Sequence, residues 1–191
     1  MTRAPIQIAP DVFLRHPTPE DAEGLARAYL RSRDHLRQWE PDRDEAFFTP
    51  AGQAERLRTY LAETRAGRMM PWLMVSESQE AAGQSGIIGT VMLTNITLGP
   101  LRSSPVGYWI DPGHVGRGLA TAALKAVCTV ADTQLGLHRL EAGTLLENTA
   151  SQRVLAKCGF VPFGLAEKYL HIHGAWRDHR LFQKILNDRR P

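Results

Sequence analysis

Between residues 106 and 135 a strand, a tight turn and a long helix follow one another, and that turn constrains the fold more than any other segment. Val106-Gly107-Tyr108-Trp109-Ile110 reads as a strand stopped by Asp111-Pro112-Gly113. Residues 116–135 read as an amphipathic helix, with Leu119, Ala123, Leu124, Val127, Cys128, Ala131 and Leu135 on one side. Gly116, Gly118 and Ala120 leave the start of that helix without bulky side chains. First-turn amides have no partner inside a helix, and the helix dipole adds partial positive charge at the same end. Such a turn is a ready seat for a diphosphate, with Arg117 in place to add a charge-assisted bond. The plainer alternative is a connector that holds no ligand.

Two other phosphate-binding folds do not fit. A Walker loop ends in Gly-Lys-Ser/Thr, and Gly118-Leu119-Ala120 does not. A dinucleotide fingerprint counted from Gly116 puts Thr121 where glycine or alanine is needed, although Glu141 lies at a suitable distance. That fold also needs further strand–helix units, and only one remains after the turn.

The rest of the chain supplies the sheet. Val12–Arg15 reads as a short strand, and Thr18-Pro19 with Asp21 three residues after Thr18 opens a helix that reaches Leu36. Trp39-Glu40-Pro41 breaks it, and Thr49-Pro50 opens a second helix running to about Ala66. Residues 72–77 and 87–98 read as strands separated by the polar stretch 78–86. Residues 139–145 form a strand and 148–158 a helix ended by Gly159; residues 160–186 fold into two strands about Gly174. This order predicts an α/β protein (α+β in some schemes): one mixed sheet with helices on its faces, formed as a single domain over residues 1–191.

Composition closes off several other classes. No apolar run approaches the ~20 residues of a membrane span, and residues 1–10 do not read as a signal peptide, so a cytoplasmic protein is expected. Cys128 and Cys158 read as two buried thiols rather than a disulfide. The net charge of +3 is concentrated in residues 171–191. No aromatic pattern for reading RNA accompanies it, so direct nucleic-acid binding is not expected as a main function. His171 and His173 share a strand face without a third ligand nearby, so no metal is expected.

Four blocks carry a resemblance: Val115-Gly116-Arg117-Gly118-Leu119-Ala120; the run from Glu147-Asn148 through Ser151 to Gly159-Phe160; the run from Gly174-Ala175-Trp176-Arg177-Asp178-His179 to Phe182; and Leu36-Arg37-Gln38-Trp39-Glu40-Pro41. Together, in this order, they resemble the GNAT superfamily of N-acetyltransferases over nearly the whole chain. Within it they look like the RimJ/RimL-like branch that acetylates ribosomal-protein N-termini, the alanine type above all. The first block fits the family's Gln/Arg-x-x-Gly-x-Gly/Ala turn except that Val115 replaces a polar side chain.

The resemblance implies a largely antiparallel sheet splayed near its middle, with acetyl-CoA as the co-substrate. It places Ile110, Val115, Gly116, Arg117, Gly118, Leu119, Ala120, Thr121, Asn148 and Ser151 at the cofactor. The backbone N–H near Ile110 is the implied oxyanion donor. It also implies Glu141 as the base, on the strand that splays; the alternative is a structural ion pair of Glu141 with Arg139 or Lys168. Many relatives protonate the leaving thiolate with a tyrosine seven residues after the asparagine; here that place is Leu155, and Ser151 is the substitute. Trp39, Glu40, Tyr108 and Trp176 are candidates for shaping the acceptor pocket. The acceptor implied is a protein N-terminal amine, such as Ala or Ser of a ribosomal protein. A small amine, such as an antibiotic or polyamine, is the alternative, and a non-catalytic acyl-CoA binder is a further one.

Overall fold

Residues 70–76 carry apolar side chains on both strand faces, which requires a sheet covered on both sides. In the computed structural model, which describes residues 4–81 and 86–190, this is what forms. The sheet of the described residues contains β1 (Ile6–Ala9), β2 (Val12–Arg15), β3 (Met70–Ser76), β4 (Ile87–Leu93), β5 (Ser103–Ile110), β6 (Arg139–Leu145), β7 (Val161–Ile172) and β8 (Ala175–Ile185). Their spatial order is β1-β2-β3-β4-β5-β6-β8-β7.

Helices α1 (Ala22–Leu36) and α2 (Pro50–Arg65) cover one face, and α4 (Leu119–Thr133) and α5 (Thr149–Lys157) the other; a short α3 (Glu77–Ala81) follows β3. On β3, Leu73 and Val75 join Leu25, Tyr29, Leu57 and Trp109 in the core under α1 and α2. Trp72 and Met74 join Leu124, Val127, Leu140 and Leu155 under α4 and α5. Trp109 Nε1 donates to the Tyr29 hydroxyl at 2.8 Å, so the polar ends of two buried aromatic rings satisfy each other.

Every neighbouring strand pair is antiparallel except β5 and β6. These two run parallel and pair only from Ser103 with Arg139 to Pro105 with Glu141. Beyond that rung they separate, and the sheet opens into a wedge between Val106–Ile110 and Ala142–Leu145. The mixed, splayed sheet with helices on both faces is as expected from the sequence.

Several local details differ. β1 is an additional edge strand. The strand expected to reach residue 98 stops at Leu93, where Thr94 N–H turns to Pro105 O (3.1 Å) and Asn95 takes a positive φ of 46°. The polar stretch after β3 begins with α3, and its residues 82–85 lie outside the described residues, as do the two ends of the expected domain. The long helix starts at Leu119 rather than at Gly116. Cys128 and Cys158 are free and buried. Among the described residues no helix is long and apolar enough to cross a membrane.

Candidate active site

The turn owes its shape to two glycines. Gly116 and Gly118 have φ of 78° and 77°, in the left-handed region that side chains disfavour, and a Cβ at either would meet nothing within 4 Å. None of the backbone N–H groups from Val115 to Thr121 has an acceptor among the described residues; the ladder of α4 starts with Ala122 N–H to Gly118 O. Successive free amides at a helix start form a cradle sized and charged for phosphate.

Asp111 anchors this turn. Its buried carboxylate accepts from Gly113 N–H at 2.8 Å and from Arg31 Nε, while Arg31 Nη2 donates to Ile87 O at 2.8 Å. One arginine thus ties α1, β4 and the end of β5 together. Burial pushes the Asp111 pKa up, but the Arg31 and Gly113 bonds outweigh it and hold the carboxyl below its usual range.

A cleft of about 560 Å³ runs from this turn through the wedge. Its cofactor-side lining includes Val115, Gly116, Gly118, Leu119, Ala120 and Thr121, then Ile110, Asn148 and Ser151. Arg117 is exposed beside it, close enough to Asp11 to lower that carboxyl's pKa, although the Ser76 and Ser78 bonds do most of this. Asp111 N–H bonds Ile88 O on β4, so the alternating amides of Tyr108 and Ile110 face the wedge. Those are donors placed for a carbonyl inside it.

Asn148 caps α5 by accepting from Ser151 N–H at 3.0 Å. That cap sets the Ser151 hydroxyl 2.9 Å from the Tyr108 hydroxyl. Burial pushes the Tyr108 pKa up to about 12, so this phenol keeps its proton at neutral pH. The cleft also holds groups that reading the sequence did not find. Arg153 and Lys157 line it one helical turn apart, a spacing visible in the sequence. Thr144 lines it with a buried hydroxyl that has no hydrogen-bond partner among the described residues. An orphaned hydroxyl on a cleft wall fits a site that receives a polar ligand.

On the acceptor side, Trp39 and Glu40 line the cleft together with Tyr108. Glu40 also borders a second cavity of about 200 Å³ beside Arg37, Arg43, Phe47 and Phe48. Burial pushes the Glu40 carboxyl above its usual range, against the opposite pull of Arg43 and Arg56. Trp176 is not brought to the cleft: it is 62% exposed at the tip of β8, packed edge-on against His171 at 5.6 Å.

Glu141 is not brought there either. It sits on the last paired rung of β5 and β6, and its carboxylate is 2.8 Å from Arg139 Nε. The wedge opens one residue later, at Ala142, which explains why the splayed strand was identified while the lining position on it was not. We expect Glu141→Gln to leave kcat within about threefold of the unmodified enzyme, because a partly exposed ion pair contributes about 0–1 kcal/mol. Steady-state kinetics beside a melting curve checks this.

Known proteins bear on this geometry. Residues 11–161 match the family described as the acetyltransferase (GNAT) domain. The chain is 33% identical over 176 residues to "Probable N-acetyltransferase YjcK" of Bacillus subtilis, covering 92% of this chain and 94% of that protein. It is 32% identical to the ribosomal protein uS5 alanine N-acetyltransferase of Escherichia coli, over 90% and 86% of the two chains. The crystal structure of ribosomal-protein-S5-alanine acetyltransferase from Vibrio fischeri superposes with a TM-score of 0.92 at 34% identity, over 99% of this chain and 100% of that one. Mycobacterium smegmatis RimJ, solved with CoA-disulfide, superposes at 0.84 with 36% identity, over 91% and 81%. Acetyl-CoA fits the free amides and open wedge as co-substrate, and the chemistry is N-acetyl transfer. The chain belongs to the GNAT acetyltransferase family.

Proposed function

We propose that this enzyme acetylates the α-amino group of a protein whose chain begins with Ala or Ser, such as a ribosomal protein. The observation that carries the reading is the fit to the Vibrio fischeri S5-alanine acetyltransferase, which extends over 99% of this chain and so includes the acceptor side. Local chemistry supports it. An α-amino group has a pKa of about 8 and is partly neutral at physiological pH, so it asks less of a base than a lysine does. Glu40, a partly buried carboxyl at the junction of the two cavities, is a suitable partner for the ammonium form as it arrives. The second cavity gives the following residues of a polypeptide somewhere to go.

The test is thiol release from acetyl-CoA with Ala- and Ser-starting peptides beside a panel of polyamines and amine antibiotics. Turnover with the peptides, lost when their N-terminus is blocked, is the expected result. Turnover restricted to a small amine would sink the reading.

On the donor side, the Ser151 hydroxyl hands a proton to the departing thiolate while Tyr108 holds it across their 2.9 Å bond, and water restores the proton so that the phenol ends protonated. Ser151→Ala should therefore lower kcat by about tenfold, near the lower end of acid–base contributions because Tyr108 and water still reach the sulfur. The KM for acetyl-CoA should move less. Equal losses in kcat and affinity would show instead that Ser151 only binds.

A further inference from the structure

The block from Trp176 to Phe182 is a sequence motif that neither the cofactor's seat nor the Trp39–Glu40 side of the cleft uses, and the structure gives each of its first four side chains its own setting. Trp176 packs on His171 at the strand tip. The Arg177 guanidinium pairs with the Glu147 carboxylate, tying β8 to the turn between β6 and α5. Asp178 Oδ1 accepts from Lys168 N–H at 2.8 Å and closes the irregular part of β7, where Lys168 has a φ of 49°. These three contacts fix the hairpin. The fourth residue, His179, is drawn inward: it is 4% exposed and lines the cleft.

The setting of His179 defines its chemistry. Its Nδ1 lies 3.0 Å from Arg177 O, and a carbonyl can only accept, so Nδ1 carries the hydrogen of that bond. In the neutral ring the free lone pair is then on Nε2, and no described group is bonded there. The ring lines the cleft with its Cδ2 edge, next to Nε2, over Gly143: a side chain at Gly143 would come within 3.6 Å of His179 Cδ2. Gly143 itself lines the cleft, on β6 beyond the last rung with β5. Tyr169 of β7 packs against the ring, with centroids 5.3 Å apart, and flanks the same Gly143 position at 3.7 Å. A fixed imidazole with a bare acceptor nitrogen, looking through a glycine gap into the place where the sheet parts, is built to receive a proton.

We propose that His179 is the base that takes the proton from the attacking amine. The ammonium gives one proton to His179 Nε2, and the neutral nitrogen forms its bond to the acyl carbon. The carbon–sulfur bond then breaks as Ser151 gives its hydroxyl proton to the thiolate, and the second amine proton passes to water, which restores the proton of the Ser151–Tyr108 pair. The imidazolium returns its proton to solvent, so the products are the amide, the free thiol and one released proton. This rests on amine acetylation in this cleft, and does not depend on which amine is the natural one.

The test compares His179→Ala and His179→Gln with the unmodified enzyme, using whichever acceptor of the peptide and amine panel the unmodified enzyme turns over. A failure of the protein-acceptor reading is then seen separately, as a preference for a small amine. Both variants should lose about 10²–10³-fold in kcat. Coenzyme A affinity should stay within about twofold, as for a group acting on the chemical step. Added imidazole should restore His179→Ala by about tenfold or more, saturating as it fills the gap, and should leave the bulkier His179→Gln unrescued. A purely structural histidine would lower melting temperature and affinity without responding to imidazole. If His179→Ala fails to fold, a His179→Gln rate within about threefold of the unmodified enzyme overturns the assignment. So does a folded His179→Ala whose lost rate imidazole does not restore.

Discussion

The double variant Gly116→Val/Gly118→Val is expected to bind coenzyme A at least about 100-fold more weakly. Both positions sit at φ near 78°, where a side chain costs ~1–2 kcal/mol per residue, most for a β-branched one. The chain relieves that strain by rotating the two peptides, which turns their N–H groups away from the cleft. A hydrogen bond to a charged group is worth ~1.5–3 kcal/mol, so losing two removes ~3–6 kcal/mol of binding. At ~1.4 kcal/mol per tenfold, that is at least two decades. A control separates strain from function. Gly67, at the end of α2, has a φ of 73° and the same open surroundings, but it lines neither the cleft nor the second cavity. Gly67→Val should cost about half as much stability, one strained residue against two, and leave coenzyme A affinity unchanged in calorimetry. If both variants weaken binding alike, the amide cradle is not the cofactor's seat.

The contrast between these glycines shows what was legible in the sequence. Gly116 and Gly118 could be read because a strand, a turn and an apolar-faced helix surround them, a local pattern set by short-range sterics. The helix starts at Thr18-Pro19 and Thr49-Pro50 were legible for the same reason: Asp21 Oδ2 accepts from Thr18 N–H at 2.7 Å, and Thr49 Oγ1 accepts from Gly52 N–H at 3.1 Å. What depends on register was not legible. Glu141 and Gly143 are two residues apart on the same strand face, and only the length of the β5–β6 pairing determines that Gly143 lines the cleft while Glu141 stays on the paired rung. His179 stands opposite Leu145 through the β6–β8 register, although 34 positions separate them in the chain. β1 was missed because a four-residue edge strand between Pro5 and Pro10 has little periodicity to show.

Long-range placement also explains why the two halves of the site act together. β5 brings Tyr108 and Ile110 to the wedge from one side, while β6 and β8 bring Gly143 and His179 from the other. No single element holds both the wedge amides and the imidazole. The distance between them is set by where the strands stop pairing and by what fastens the end of β5.

That fastening is Asp111, and its loss should be the most destabilising single change near the site. Asp111→Ala removes the acceptor for Arg31 Nε and for Gly113 N–H, and leaves Arg31, among the described residues, with Ile87 O alone. Breaking a fully buried pair costs ~3–5 kcal/mol; Arg31 is 40% exposed, so water recovers part of that, and about 3 kcal/mol is expected. For a chain of this size that corresponds to a fall of about 6–12 °C in Tm. The isosteric Asp111→Asn keeps an acceptor and loses the charge, so it should lose less. Its pH dependence has a definite sign. The folded-state pKa of Asp111 lies below its unfolded value of about 3.9, so its stabilisation is fully present above that value and is lost as pH falls through the folded pKa. The stability gap between the unmodified enzyme and Asp111→Asn should therefore be constant from about pH 7 to pH 5 and close below about pH 4. Urea unfolding at stepped pH measures it directly. A gap that persists unchanged into acid would mean that the charge of Asp111 is not what holds the turn to α1.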